Sequence, residues 1–298
     1  MRIAYIAKHG QLRHTNDDEG AIADALTTLG HSVTCVHENS ATTIPCGADM
    51  LLFHKWHGAP WLKWFKPAKV FWYFDLVDYP TDSTIATRCS MRKQWMRQVV
   101  PMVDLGFCTD GDWVAADKTG KLAWLLQGAD QRNIDANAPY EQQLPLLFVG
   151  SIDRCGQERL TFFNEMRRIY RNGFLSFPRG FYGNALKDLI ASCKIAVAPD
   201  GPVTDRYWSN RVYVMLGHGA FLLHPWCAEL AKQYQDSKHL VYYRNRDHLH
   251  ALVAQFLESS ADRRRISNSG MIHTKQNHTY INRCRQLLDV VKSRLGVS

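Results

Sequence analysis

DGPVTDRYWSNRVYVMLGHGAFLL, residues Asp200 to Leu223, is the stretch on which the reading of the whole chain turns. KIAVAP (Lys194 to Pro199) precedes it, an apolar run closed by a proline. Together they spell a buried strand ending at Asp200, a polar loop, a short helix of about three turns, a glycine turn and another strand. Arg206, Ser209, Asn210 and Arg211 fall where the loop passes into the helix. Hydroxyl, amide, guanidinium and backbone N–H groups thus converge on a place that suits an anion. The same residues also fit a solvated loop with an arginine salt bridge. A loop following a buried strand is where doubly wound α/β sheets bind ligands, and that position favours the anion site, with Asp200 at its rim.

Working outward, each half of the chain reads as an α/β domain. Arg2 to Ala7 alternates into an apolar strand. Asp17 to Leu29 repeats apolar residues at helical spacing, with acids in its first turn and Gly30 as its stop, and His31 to His37 is the next strand. No GxGxxG follows the first strand, so a dinucleotide redox cofactor is not expected. The strand Asp49 to Phe53 runs into HKWHGAP, which puts His54 at its end and His57 three residues on. The strand Val70 to Phe74 runs into Asp75-Leu-Val-Asp78, carboxylates at a ligand-binding rim. A base that deprotonates a hydroxyl has to be one of these acids or histidines. A packed histidine and a carboxylate paired with a nearby lysine are the plainer alternatives.

Further along, Ser83 to Val100 reads as a helix with Met91, Trp95 and Val99 on its apolar side. Asp104 to Thr109 and Lys121 to Leu125 are strands, and the polar connector Gln131 to Gln143 is a linker. The second half restarts with the strand Leu146 to Gly150 and a helix facing inward through Leu160, Phe163, Met166 and Ile169. His224-Pro225 reads as a turn, Leu240 to Tyr243 as a strand, and Asp247 to Leu257 and Asp262 to Lys275 as helices. A last helix from about Thr279 buries Ile281, Cys284, Leu288, Val291 and Leu295. The expected domains are 1–140, 144–278 and a terminal helix, 279–298.

With 298 residues, 46% of them hydrophobic and 21% charged, the chain has an ordinary globular composition, and its length suggests two domains. No apolar run approaches a membrane span, and RIAYIA is too short for the apolar core of a signal sequence, so a cytoplasmic protein is expected. Eight scattered cysteines without CxxC spacing point to reduced core thiols. Residues 1–143 hold 14 Lys and Arg against 16 Asp and Glu, a balance of −2; residues 144–298 hold 22 against 12, a balance of +10. A basic half suits an anionic ligand or polymer. Within the acidic half, Lys55 to Arg97 is a local exception at +5, with Trp56, Trp61, Trp64, Trp72 and Trp95 among its charges. Trp72 lies in an apolar strand and Trp95 on a helix face. That leaves Trp56, Trp61 and Trp64, beside Lys63 and Lys66, as a rim able to hold a phosphate backbone and stack bases.

DRYWSNRVYVMLGHGAFLL, HLVYYRNRDHLHALVAQFL and NHTYINRCRQLL resemble the C-terminal half of the CgeB-like (spore-maturation type) glycosyltransferases. These are similar to the wider GT-B class, in which two Rossmann-like domains face each other across a cleft and a C-terminal helix crosses back to the first. The resemblance is good over roughly residues 145 to 290 and loose before that. It implies a nucleotide-sugar donor, UDP- or GDP-linked, as co-substrate, with no cofactor. It also implies His54 near the transferred sugar, Gly150 with Arg154 and Arg159 near the donor diphosphate, and Gln127-Gly128-Ala129-Asp130 as the turn closing the first domain. One departure stands out: the glutamate with which many GT-B enzymes hold the donor ribose aligns here with Val214. Nothing resembles a DxD motif, so no metal is implied.

Three functions follow from this reading. The first is a glycosyltransferase acting on an acceptor hydroxyl. Compact GT-B enzymes of this size occur in bacteriophages that glycosylate hydroxymethylated pyrimidines, and the chain is similar to these in scale and charge. DNA is therefore the expected acceptor, with spore or envelope glycans as the rival. The second is a sugar-nucleotide epimerase, which needs more carboxylates than Asp200 and Asp205 supply. The third is a catalytically silent sugar- or nucleic-acid-binding module.

Overall fold

The computed structural model describes residues 1–8, 18–40, 47–54, 62, 65–79, 84–134, 143–150, 156–177, 183–199 and 203–297. Residues 1–78, 88–131 and 280–298 form one compact unit, and residues 79–87 and 132–279 form another.

The first unit is built on six parallel strands: β1 (Arg2–Ala7), β2 (Ser32–His37), β3 (Met50–Phe53), β4 (Ala68–Tyr73), β5 (Leu105–Cys108) and β6 (Leu122–Trp124). They are ordered β2-β1-β3-β4-β5-β6. The second unit carries β7 (Leu144–Val149), β8 (Phe174–Phe177), β9 (Cys193–Val197), β10 (Leu222–Pro225) and β11 (Val241–Tyr243), ordered β11-β10-β9-β7-β8 and again all parallel. Counted from its own first strand, the first sheet reads 2-1-3-4-5-6 and the second 2-1-3-4-5, so the order reverses between the first and third strands in both. In doubly wound sheets such a reversal is where ligands bind, outside the carboxyl ends of the strands. The doubly wound architecture expected from the sequence is present twice. Strands covered on both faces must be apolar throughout, and β3, β5 and β10 are buried along their whole length.

One face of the first sheet packs α1 (Asp18–Thr28) and the last helix, α10 (Tyr280–Leu295), through Ile22, Ala25, Leu26, Tyr280, Cys284, Leu287 and Val291. The terminal helix therefore belongs to the first unit, although 148 residues of the second precede it as Arg132–Thr279. Polar contacts fix where it docks. The Tyr280 N–H donates to the Ala129 carbonyl at 3.0 Å, and Arg283 Nε donates to the Gln127 carbonyl at 2.9 Å. The Tyr280 hydroxyl donates to Asp18 Oδ1 at 2.6 Å, and Gln127 Nε2 donates to Asp18 Oδ2 at 3.2 Å. The Gln127–Asp130 turn is thus the seat of the returning helix.

In the second unit α4 (Gly156–Tyr170) and α8 (Arg246–Glu258) cover one face, with Phe162, Phe163, Met166, Leu249 and Val253 in the core. The remaining helices of the unit are α5 (Gly183–Ala191), α6 (Arg211–Gly217), α7 (Ala228–Gln233) and α9 (Ser260–Asn277). The first unit also has α2 (Thr84–Val99), of which residues from Arg88 onward belong to it, and the short α3 (Gly111–Ala115).

Two helix faces differ from the expected stripe. On α2, Met91 is 67% exposed, and the buried side is Cys89, Met96 and Val99, with Arg92 partly buried among them. Arg92 fits because its stem packs while Nη1 donates to the Leu76 carbonyl at 2.7 Å. On α4, Leu160 and Ile169 are exposed while Phe162, Phe163 and Met166 are buried, a stripe rotated by about one residue. His224-Pro225, expected as a turn, ends strand β10. All six described cysteines are free, and five of them are buried. Among the described residues no helix is long and apolar enough to cross a membrane.

Candidate functional site

The carboxyl edge of the second sheet gathers the residues around Arg211. β7 delivers Phe148, Val149 and Gly150; β9 lies beside it at the reversal of strand order; and α6 begins with Arg211. Arg211 Nε donates to the Val149 carbonyl, and its guanidinium carbon lies 4.6 Å from the centre of the Phe148 ring. Gly150 makes this seat possible on two counts. Its φ of 149° is one that other residues rarely adopt, and a Cβ there would collide with Arg211 Nη2 and come within 2.9 Å of Cζ. A carbonyl and an aromatic face thus orient a permanent cation at the sheet edge.

Ser209 and Asn210 are the lead-in to this arginine. Ser209 Oγ accepts the Arg211 N–H at 3.4 Å, and the Asn210 carbonyl accepts the Tyr213 and Val214 N–H groups at 3.0 and 3.2 Å. Trp208, buried, donates its Nε1–H to the Tyr213 hydroxyl at 3.1 Å, which holds the loop against the helix it precedes. The helix has seven residues, shorter than the expected three turns. Gly219 (φ 77°) ends it, Ala220 N–H donates back to the Met215 carbonyl at 3.0 Å, and His218 Nδ1–H donates to the Val214 carbonyl at 2.7 Å. The Gly-His-Gly-Ala turn is thus a helix stop.

Arg206 is exposed on a tight turn in which Thr204 and Tyr207 exchange backbone hydrogen bonds. That turn is tied to the start of α7, where Cys227 Sγ–H donates to the Thr204 carbonyl at 3.1 Å and the Glu229 N–H donates to the Asp205 carbonyl at 3.2 Å. Arg159 is buried on the first turns of α4.

The first unit treats its candidates differently. His54 is buried just past β3, with Nδ1–H donating to the Trp72 carbonyl at 2.8 Å and Nε2 hydrogen-bonded to the Tyr5 hydroxyl at 2.5 Å. A carbonyl can only accept, so Nδ1 carries a proton. Burial raises the Tyr5 hydroxyl pKa well above the usual tyrosine value, which keeps it protonated. Asp75 pairs with Arg92 at 3.7 Å and Asp78 pairs with Lys93, both partners on α2. Lys66 is exposed. Trp72 is a core residue whose Nε1 donates to the Leu125 carbonyl at 3.2 Å, and Trp95, partly buried, packs against the core and stacks on Tyr73 with centroids 5.2 Å apart. His57, Trp56, Trp61, Lys63, Trp64, Arg154 and Asp200 lie outside the described residues.

Among the buried polar residues that the sequence reading did not take as site candidates are Asp110 and His224. Asp110, 1% exposed, accepts the N–H groups of Val77 (2.8 Å), Asp78 (3.2 Å) and Trp113 (3.0 Å), so it ties the loop after β4 to the start of α3. Burial raises its carboxyl pKa, and the three N–H groups oppose that. An acid between an apolar strand and a short helix is a cap signal, so Asp110 was legible in principle. The other is His224, on β10, which had no such signal. Among the described residues no cluster of three His, Cys, Asp or Glu side chains is arranged to hold a metal.

Residues 159–289 match the family model described as glycosyl transferase-like. Sucrose-phosphate synthase from Thermosynechococcus elongatus superposes with a TM-score of 0.67 at 13% identity, covering 100% of both chains. An alpha-glucosyltransferase in complex with UDP gives 0.69 at 9% identity, covering 98% of this chain and 100% of the other. HepE of Anabaena in complex with UDP-glucose gives 0.63 at 10% identity over the same shares. The chain has the GT-B glycosyltransferase fold. No curated protein matches it by sequence. In this GT-B chain the family match lies on the second half, over a region that includes Arg211, His224 and the helices α8 and α9.

Proposed function

We propose that this protein transfers a sugar from a UDP-linked donor to an acceptor hydroxyl, and that the acceptor is a hydroxymethylated pyrimidine in DNA. The observation that carries the donor reading is Arg211, seated on Gly150 and the Val149 carbonyl at the edge where the strand order reverses. When the bond from sugar to diphosphate breaks, negative charge grows on the departing phosphate oxygen. A fixed guanidinium stabilises that charge without having to reorganise. Ser209, Asn210 and Arg206 complete the donor side, with Asp200, Arg154 and Arg159 as further contacts. The acceptor hydroxyl gives its proton to a base, for which Asp75, Asp78 and His57 are the candidates, His54 being committed to Tyr5 and Trp72. Within GT-B the chain is assigned to the CgeB-like branch, and the donor is a co-substrate with no resident cofactor.

Support for a UDP donor is at the level of fold, since HepE was solved with UDP-glucose and the alpha-glucosyltransferase with UDP. Support for DNA comes from the alpha-glucosyltransferase, solved with UDP and a 13-mer DNA containing an HMU base, and from the lysine- and tryptophan-rich segment Lys55 to Lys66. The experiment incubates the protein with UDP- and GDP-sugars and duplexes carrying plain or hydroxymethylated pyrimidines, and measures released nucleoside diphosphate. UDP release that requires the hydroxymethylated duplex is the expected result. Release stimulated instead by spore or envelope glycans overturns the DNA acceptor, and absence of both release and UDP binding overturns the donor reading.

A further inference from the structure

His224 was read from the sequence as a turn residue, yet it is 2% exposed and stands next to last in β10. Its Nδ1 lies 2.7 Å from the Pro225 carbonyl oxygen. Since that oxygen only accepts, Nδ1 carries the proton and Nε2 presents a lone pair. Among the described residues Nε2 has no hydrogen-bond partner. The ring is steadied by Tyr242, whose own ring meets it edge to face at 6.4 Å and whose hydroxyl donates to the Tyr234 carbonyl at 3.0 Å.

Position connects this residue with Arg211. Leu147, Ala196 and Leu222 are aligned across β7, β9 and β10. Two residues further toward the carboxyl edge, the same row holds Val149, Ala198 and His224, and side chains in one row of a sheet share a face. Val149 is the residue whose carbonyl holds Arg211, while the guanidinium itself lies over Phe148, whose ring is on the other face, so Arg211 and His224 share the carboxyl edge of the sheet and not one face. Ala198, between Val149 and His224, offers only a methyl group. Burial, with the Arg211 charge adding to it, pushes the His224 imidazole down to about 4, so the ring is neutral at physiological pH. A neutral imidazole with its lone pair unengaged accepts a hydrogen bond from a hydroxyl. The helix α6, RVYVMLG, carries no carboxylate that could do so.

We propose that His224 Nε2 accepts a hydrogen bond from a hydroxyl of the nucleotide-sugar donor, next to the phosphates held at Arg211. This rests on the donor reading above and adds to it a residue that selects for a hydroxylated ligand. Two parts of such a donor carry hydroxyls, the ribose and the transferred sugar.

The test is calorimetric titration of UDP, 2′-deoxy-UDP and UDP-glucose into wild type, His224→Asn and His224→Gln. Asparagine keeps an N–H for the Pro225 carbonyl but withdraws the distal acceptor; glutamine reaches nearer to the Nε2 position. In His224→Asn the affinity for the hydroxylated ligand should drop about fivefold to tenfold, the usual worth of one hydrogen bond. If the ribose is the source, the preference for UDP over 2′-deoxy-UDP shrinks; if the sugar is, the preference for UDP-glucose over UDP shrinks. His224→Gln should recover part of the loss. Both preferences unchanged in His224→Asn, with the variant melting like wild type, overturns the proposal. Should that variant not fold, the same two preferences measured in His224→Phe, which fills the space of the ring but has no acceptor, decide it, and wild-type values there overturn it. Wild-type protein that binds none of the three ligands overturns the donor reading itself, a distinct outcome.

Discussion

The two sheets share one order over their first five strands, and their carboxyl edges have opposite polar chemistry. At the first sheet's edge, the described candidates are turned inward: His54 bonds to Tyr5 and Trp72, and Asp75 and Asp78 pair with Arg92 and Lys93. At the second, Arg211 is oriented by a carbonyl and a ring, and His224 keeps a nitrogen without a partner among the described residues. The two histidines show the difference: His54 has both ring nitrogens engaged, whereas His224 has one engaged among the described residues. Topology alone does not distinguish the two edges.

The largest effect that would sharpen this contrast comes from the seat of Arg211. Arg211→Ala should cost UDP about 1.5–3 kcal/mol of binding, the worth of hydrogen bonds to a charged group. Gly150→Ala should cost a similar amount with the arginine still present, because the added methyl takes the place of the guanidinium and forces an unfavourable φ. Calorimetry with UDP checks both, and unchanged affinity in either would mean that the second edge is as self-satisfied as the first.

His54→Phe tests the other side. It leaves the Tyr5 hydroxyl and the Trp72 carbonyl buried without their partner, so unfolding stability should fall by about 1–3 kcal/mol. UDP affinity should stay the same. Urea denaturation and titration of the same sample measure the two quantities, and a weaker UDP affinity at unchanged stability would break the comparison.

A smaller effect concerns pH. His239, buried in the second unit, stacks on His273 with centroids 4.2 Å apart, and its Nδ1 accepts the Gln235 N–H at 3.1 Å. Burial first, then the charges of His273 and Lys238, hold it down to about 4, as burial does for His224. The unfolded chain takes up protons at these rings near 6.5, while the folded chain resists until about 4. Their contribution is therefore intact above pH 6.5 and is lost as the pH falls from 6.5 to 4. The melting temperature should decline over that window, and His239→Gln should decline less steeply. Equal slopes would show that the ring is not held neutral by the fold.

The smallest expected change is at Lys66, which is exposed on the first unit. If DNA is the acceptor, Lys66→Ala should reduce the slope of log affinity against log salt by about one, with UDP binding unaffected. Filter binding at several salt concentrations measures it, and an unaltered slope removes Lys66 from the interface.

By itself, the sequence determined the class of the fold and singled out the segment proposed as the donor site. Apolar runs separated by helical periods, with linkers at breaks in polarity, specify parallel α/β units because each strand must be covered on both faces. The Asn210-Arg211 junction after a buried strand was legible for the same reason. Only the tertiary structure decided which polar side chains are spent. It turned α2 so that Arg92 sits on its half-buried face and Met91 faces solvent, since the arginine stem packs while its head reaches the Leu76 carbonyl and Asp75. It also set His224 at the end of a strand instead of in a turn. A histidine next to a proline carries no local signal for burial; its depth, its tautomer and its nearness to Arg211 arise from strands and a helix that are far apart in the chain.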